Sequence, residues 1–194
     1  MSTIARFSRP SLAWAALALL PLVLPASARA DGERVLFSAE ASYVVPTDPI
    51  ATRPFAPGGG VSLAAHFSLT QWLMPLARAR GALLGAGDRT LGQGELGSLG
   101  SVLLGIRFRP RGIAHPEEPS RAGCVWGEID AGLALWNGRP LPTFEAAVGF
   151  LFLAGDVDVG PAFRFVHLWP TAAADGPETF LVTVGLELLF GDAR

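Results

Sequence analysis

The sequence contains no lysine: all 15 of its basic residues are arginine, set against 17 acids. Charged side chains make up 16% of the 194 residues, well under the quarter usual in soluble domains. A near-neutral balance, with a formal net charge of −2, excludes the basic face that a nucleic-acid binder needs to neutralise phosphates. A lone cysteine, Cys124, excludes an intramolecular disulfide and any multi-cysteine metal site. No stretch of the mature region shows a 3.6-residue apolar stripe, and no fixed-length repeat appears, which argues against helical bundles, solenoids and propellers. The length suits one domain.

Residues 1–30 have the three parts of a secretory signal: Arg6 and Arg9 without an acid, an apolar run from Ser11 to Leu24, and Ala28-Arg29-Ala30. Cleavage is expected after Ala30. A membrane anchor needs about 20 apolar residues, and this run is shorter and carries Pro21. Removing Arg6, Arg9 and Arg29 and no acid takes the net charge from −2 to −5. The domain is then expected over 31–194.

What remains alternates with period two, the mark of strands with one apolar and one polar face. Val35, Phe37, Ala39, Ala41, Tyr43 and Val45 interleave with Ser38, Glu40 and Ser42; Val61, Leu63, Ala65 and Phe67 interleave with Ser62, His66 and Ser68. The pattern returns over Pro75–Leu83 with Arg78 and Arg80, and over Ser101–Arg109 with Arg107 and Arg109. It recurs in the second half from Val125, from Thr143, from Val157 and from Phe180, eight strands in all. Trp126, Glu128, Asp130 and Trp136 share the polar parity of the fifth strand, and Glu145, Asp158, Arg164 and Glu187 that of the last three. Asn137-Gly138 is a two-residue hairpin signal. The other connections are expected at Pro46–Gly60, Leu84–Gly97, Asn137–Leu141 and Trp169–Glu178 on one side. Gln71–Met74, Pro110–Gly123 and Ala154–Asp156 fall on the other, where Pro110–Gly123 is long for a periplasmic turn.

Alternation does not say which face is wet. A soluble lipocalin-like barrel puts the apolar face inside, and an outer-membrane barrel puts it against lipid. The polar face here mixes small residues (Gly105, Gly132, Ala147, Gly149, Gly160, Ala162, Gly185) with isolated charges, as a narrow lumen requires. Six acids and five arginines nearly balance on it. An interior needs such balance, because an unpaired buried charge costs several kcal/mol, and arginine's planar fork bridges carboxylates well. The predicted lumen network is Glu40, His66, Arg78, Arg80, Arg107, Arg109, Glu128, Asp130, Glu145, Asp158, Arg164 and Glu187, with Arg164 expected to pair with Asp158 or Glu187. Aromatics gather toward strand ends (Phe37, Tyr43, Trp72, Trp136, Phe152, Trp169, Phe180), where a membrane girdle would place them.

The run Val184-Gly185-Leu186-Glu187-Leu188-Leu189-Phe190 resembles the C-terminal assembly signal of the small outer-membrane β-barrel family, the OmpA-, OmpX- and OmpW-like proteins. Val159-Gly160-Pro161-Ala162-Phe163-Arg164-Phe165 resembles its penultimate strand. Gly191-Asp192-Ala193-Arg194 follows the aromatic that usually closes such chains, and a peptidoglycan-binding domain of the OmpA kind is not expected after the barrel. The resemblance implies an all-β, eight-stranded antiparallel up-and-down transmembrane barrel in the bacterial outer membrane, with both ends periplasmic. It also implies outer-membrane lipid, lipopolysaccharide and the barrel assembly machinery as partners, with further envelope partners unspecified.

Catalytic, cofactor and metal sites are expected to be absent. His66-Phe67-Ser68 is similar to the His-x-Ser pair of outer-membrane lipid A deacylases, but parity turns both side chains to the polar face, which favours a lumen histidine over a base–nucleophile pair. Glu128 and Asp130 could serve glycosidase or calcium chemistry, yet arginines on the same face favour salt bridges. His115 and His167 lack metal-ligand spacing. The glycine-rich stretches lack a phosphate-loop lysine, and Cys124 reads as a small hydrophobe. A structural or surface-interaction role follows. The alternatives are a narrow channel for small or hydrophobic solutes, a lipid-modifying enzyme, and a soluble periplasmic binder.

Overall fold

The computed structural model describes residues 34–47, 55–70, 72–87, 96–110, 123–154, 157–170 and 178–190. The expected signal at 1–30, and most of the Pro110–Gly123 connection with His115, lie outside them. The described residues form eight strands: β1 (Arg34–Pro46), β2 (Phe55–Ser68), β3 (Leu73–Ala86), β4 (Gly97–Phe108), β5 (Cys124–Trp136), β6 (Arg139–Ala154), β7 (Val157–Leu168) and β8 (Thr179–Phe190). Each pairs antiparallel with the next, and β1 pairs with β8 to close the barrel. β4 and β5, on either side of the long connection, pair directly from Leu99↔Trp136 to Phe108↔Gly127.

The strands run 12 to 16 residues, more than the 9 to 11 that a tilted strand needs to cross a bilayer. Several start earlier or end later than alternation indicates. The connection expected at Pro46–Gly60 is shorter, because Phe55–Gly60 is already strand. Its proline and three glycines read as a turn, but Pro57 occupies a bulge between Ala56↔Gly85 and Gly58↔Leu84, where a residue without an N–H loses no ladder bond. Leu84–Ala86 likewise belongs to β3 and Arg139–Leu141 to β6. The turn between β5 and β6 is Asn137-Gly138 alone, with φ of 49° and 79°, the paired positive values of a type I′ hairpin. Asn137 locks this turn to β4: its Oδ1 accepts from Ser98 N at 2.7 Å, and its own N donates to Ser98 O at 2.8 Å.

The outer surface is apolar. Leu104 is 69% exposed, and Val61, Leu83, Ile129, Leu133 and Val148 are each more than half exposed. Phe37, Tyr43, Trp72, Phe152 and Trp169 stand exposed toward the strand ends. Trp136 departs from the expected girdle. It has inward parity at the barrel mouth and packs edge-to-face on Phe55 at 5.1 Å.

The interior is layered. At the end holding the β1–β2, β3–β4, β5–β6 and β7–β8 connections, Val44, Phe55, Leu84, Leu99, Leu141, Val166, Leu168 and Leu181 form one buried apolar cluster. At the end holding the chain termini, Leu36, Met74, Trp126, Leu151 and Leu189 form a second. Between them lie buried Ser38, Glu40, Ser62, His66, Arg78, Arg80, Ser101, Arg107, Glu128, Asp130, Glu145, Arg164 and Glu187.

Candidate functional site within the barrel

Arginine side chains are long, and an eight-stranded lumen has room for them only where the opposing wall is small. The register supplies that room. Arg164 lies between Ala147 on β6 and Thr183 on β8, and Arg78 has the small Ala64 beside it on β2. Glycine goes further on the inner wall: a Cβ on Gly105 would collide with the Asp130 carboxylate, and one on Gly149 with the Trp126 ring.

Glu128 is the centre of the charged layer. Its Oε1 accepts from Arg78 Nη2 at 2.6 Å and from Arg164 Nη1 at 2.7 Å, and its Oε2 accepts from Arg107 Nε at 2.8 Å. Arg107 Nη2 also donates to Glu187 Oε1 at 2.7 Å, and its guanidinium lies 3.9 Å over the centroid of the buried Trp126. Arg164 donates to Asp130 at 3.0 Å and to Glu40 at 3.2 Å. Arg78 donates to Ser62 Oγ at 2.9 Å. Arg80 lies 3.0 Å from Glu145 and 3.8 Å from Glu40.

These contacts join nine of the twelve sequence-selected residues. Arg109 and Asp158 form a separate, partly exposed pair at 2.9 Å toward the terminal end. His66 joins neither group; its Nε2 lies 2.9 Å from Ser38 Oγ, and its Nδ1 has no hydrogen-bond partner among the described residues. Arg164 does not take the partners expected for it: Asp158 goes to Arg109 and Glu187 to Arg107. In register, Asp158 and Glu187 lie well down the barrel from Arg164, which faces Thr183, so its reach is across the lumen rather than along its own hairpin. Trp126 carried inward parity, but nothing in the sequence marks it as the surface on which Arg107 rests.

The chemistry open to this arrangement is narrow. Ser68 Oγ donates to Thr70 O at 3.0 Å, while the His66 ring meets Ser38 instead, so His66 and Ser68 do not form a base–nucleophile pair. The Ser38–His66 pair is 3% and 0% exposed, and among the described residues no carboxylate bonds His66 Nδ1 as one does to orient a catalytic imidazole. Glu128 and Asp130 are both occupied by arginines. Cys124 is buried with Sγ 3.2 Å from Pro110 O. His167 lies at the opposite rim, stacked on Phe180 at 4.3 Å and 2.6 Å from Glu178.

A closed antiparallel barrel with an apolar exterior, aromatic strand ends and charges sealed inside is a small transmembrane β-barrel of the outer-membrane class. The chain is similar in structure to Neisserial surface protein A, with a TM-score of 0.60 and 9% identity over 82% of this chain and 99% of that one. Looser likenesses are to the outer membrane enzyme PagL (TM-score 0.49, 12% identity, 79% and 98% covered) and to the outer membrane protein OprG from Pseudomonas aeruginosa (0.48, 10%, 82% and 96%). No protein-family model matches the sequence, and no curated protein matches it significantly. The fold and the lipid-compatible exterior place the protein in the bacterial outer membrane.

Proposed function

We propose that this protein is a non-enzymatic integral scaffold of the outer membrane, closed to solutes, that acts through the rim bearing the β1–β2, β3–β4, β5–β6 and β7–β8 connections. The observation that carries this reading is the filling of the lumen. Four arginines and five carboxylates interlock across its middle, and apolar side chains occupy both ends. Hydrated ions meet no continuous polar path through such an interior. With an even strand count, both chain ends belong on the periplasmic side, which sets the β1–β2, β3–β4, β5–β6 and β7–β8 connections outward, toward lipopolysaccharide and other envelope molecules. β8, with its alternating close at Phe190, is the segment offered to the assembly machinery.

Planar-bilayer recording of the full chain refolded into lipid tests the reading. Heat-modifiable, folded protein with no discrete conductance steps is the expected result. Reproducible unitary openings would overturn closure and favour the narrow-channel alternative.

A further inference from the structure

Charge-bearing groups are absent from the outer face of the described strands except at the rim that holds the β7–β8 connection. There His167 is the only imidazole, carboxylate or guanidinium in an outward position. It stands in one register row with Phe144 of β6 and Phe180 of β8. Its ring is stacked on Phe180 at 4.3 Å and 15°, and the Trp169 ring lies 4.5 Å away. Its Nε2 donates to Glu178 Oε1 at 2.6 Å. Trp169 is tied to β6 in turn: its backbone N donates to Pro142 O at 3.1 Å, and its ring lies 6.3 Å from Phe144.

Burial divides this cluster by role. The imidazole side chain is 13% exposed, whereas that of Glu178 is 51% exposed and Trp169 is 39% exposed. Rings and a carboxylate hold the histidine in place, while an aromatic ring and a carboxylate stay open beside it. A membrane girdle needs only the rings. The fixed imidazole–carboxylate pair adds directional hydrogen bonding, and few ligands use both. An acyl chain offers nothing to Glu178, and a phosphate is repelled by it. A sugar ring meets both parts: its C–H face packs on the electron-rich face of an aromatic ring, and its hydroxyls donate to a carboxylate, which only accepts.

We propose that Trp169 and Glu178, bridged by His167, bind the sugar headgroup of a glycolipid in the outer leaflet. The occupant is a lipid rather than a free sugar because the same face of β7 continues through exposed Phe165 and Phe163 into the apolar wall, where acyl chains lie. The site deepens the reading of an outward-facing rim and rests on it.

NMR of the Trp169 indole and His167 ring tests the site in the full chain refolded into phosphatidylcholine nanodiscs, with digalactosyl diacylglycerol as the probe. Both resonances are expected to shift saturably with the galactolipid and to ignore diacylglycerol, which has the tails without the sugar. Trp169→Leu, read at His167, and Glu178→Ala, read at Trp169, are each expected to weaken apparent binding about tenfold in heat-modifiable, folded protein. An equal or larger shift from phosphatidylethanolamine or phosphatidylglycerol overturns the proposal, as does no shift from any lipid or binding by both variants as tight as wild type. Labelling of Pro140→Cys on intact cells with a membrane-impermeant maleimide reads the rim's orientation separately. A labelled rim with no galactolipid shift overturns this site alone, and an unlabelled rim overturns the outward reading and the site with it.

Discussion

Glu40 and Glu187 face each other directly in the β1–β8 register, so the seam that closes the barrel brings two carboxylates side by side. Like charges placed opposite on a sheet are destabilising. Here each is answered from a different strand: Arg107 of β4 takes Glu187, and Arg164 of β7 takes Glu40. Closure of the first strand on the last thus depends on arginines from two other walls.

That dependence predicts a large effect for Arg107→Met. The substitution keeps length but strands Glu187 at the seam and withdraws one donor from Glu128. Removing one partner of a buried ion pair costs about 3–5 kcal/mol. Urea titration of lipid-refolded protein should show a loss of that order, and a variant as resistant as wild type would contradict the geometry of the seam.

Arg164 distinguishes pairing along the chain from pairing across the lumen. A double-mutant cycle of Arg164→Leu with Glu40→Gln is expected to give a coupling of about 0.5–3 kcal/mol, the range for residues in one ion-pair network. The same cycle with Asp158→Asn should be additive to within about 0.5 kcal/mol, because Asp158 is held by Arg109. Equal couplings in the two cycles would refute the observed partners.

Gly149 predicts a packing defect with a reporter beside it. A methyl group there meets the Trp126 ring, and overfilling a packed interior costs about 1–3 kcal/mol. Gly149→Ala should lower stability and alter tryptophan emission. Gly127→Ala, whose nearest neighbour would be Ala147 O at 4.0 Å, should leave both unchanged.

The outer surface predicts a depth profile. Val102 lies mid-strand in β4 and is 57% exposed, while Leu83 lies near the end of β3 and is 65% exposed. In lipid, Val102→Arg is expected to cost about 2–4 kcal/mol and Leu83→Arg about 0–1. In a water-facing wall both would be nearly neutral, and refolding measurements in vesicles decide between the two.

The strands and their two faces were legible because a period of two survives in any half-buried wall, as in Ser38-Ala39-Glu40-Ala41-Ser42. Partners inside the lumen were not. A charge on a strand records which way it points but not how far it reaches, and stagger between strands carries Arg164 past Asp158. The apolar ends of the lumen were hidden for another reason. Where Leu83 and Leu84, or Leu188 and Leu189, stand side by side, lipid and lumen both demand leucine, and alternation vanishes although the strand continues. Trp136 was ambiguous on the same ground, since an aromatic at a strand end suits either side of the wall.

The absence of lysine has a practical outcome once the fold is known. Trypsin, left with arginine alone, finds Arg78, Arg80, Arg107 and Arg164 with side chains no more than 1% exposed. Cleavage at any of them requires its strand to leave the wall, so under conditions where opening and resealing outpace the protease, fragments ending at these four residues count the barrels that open.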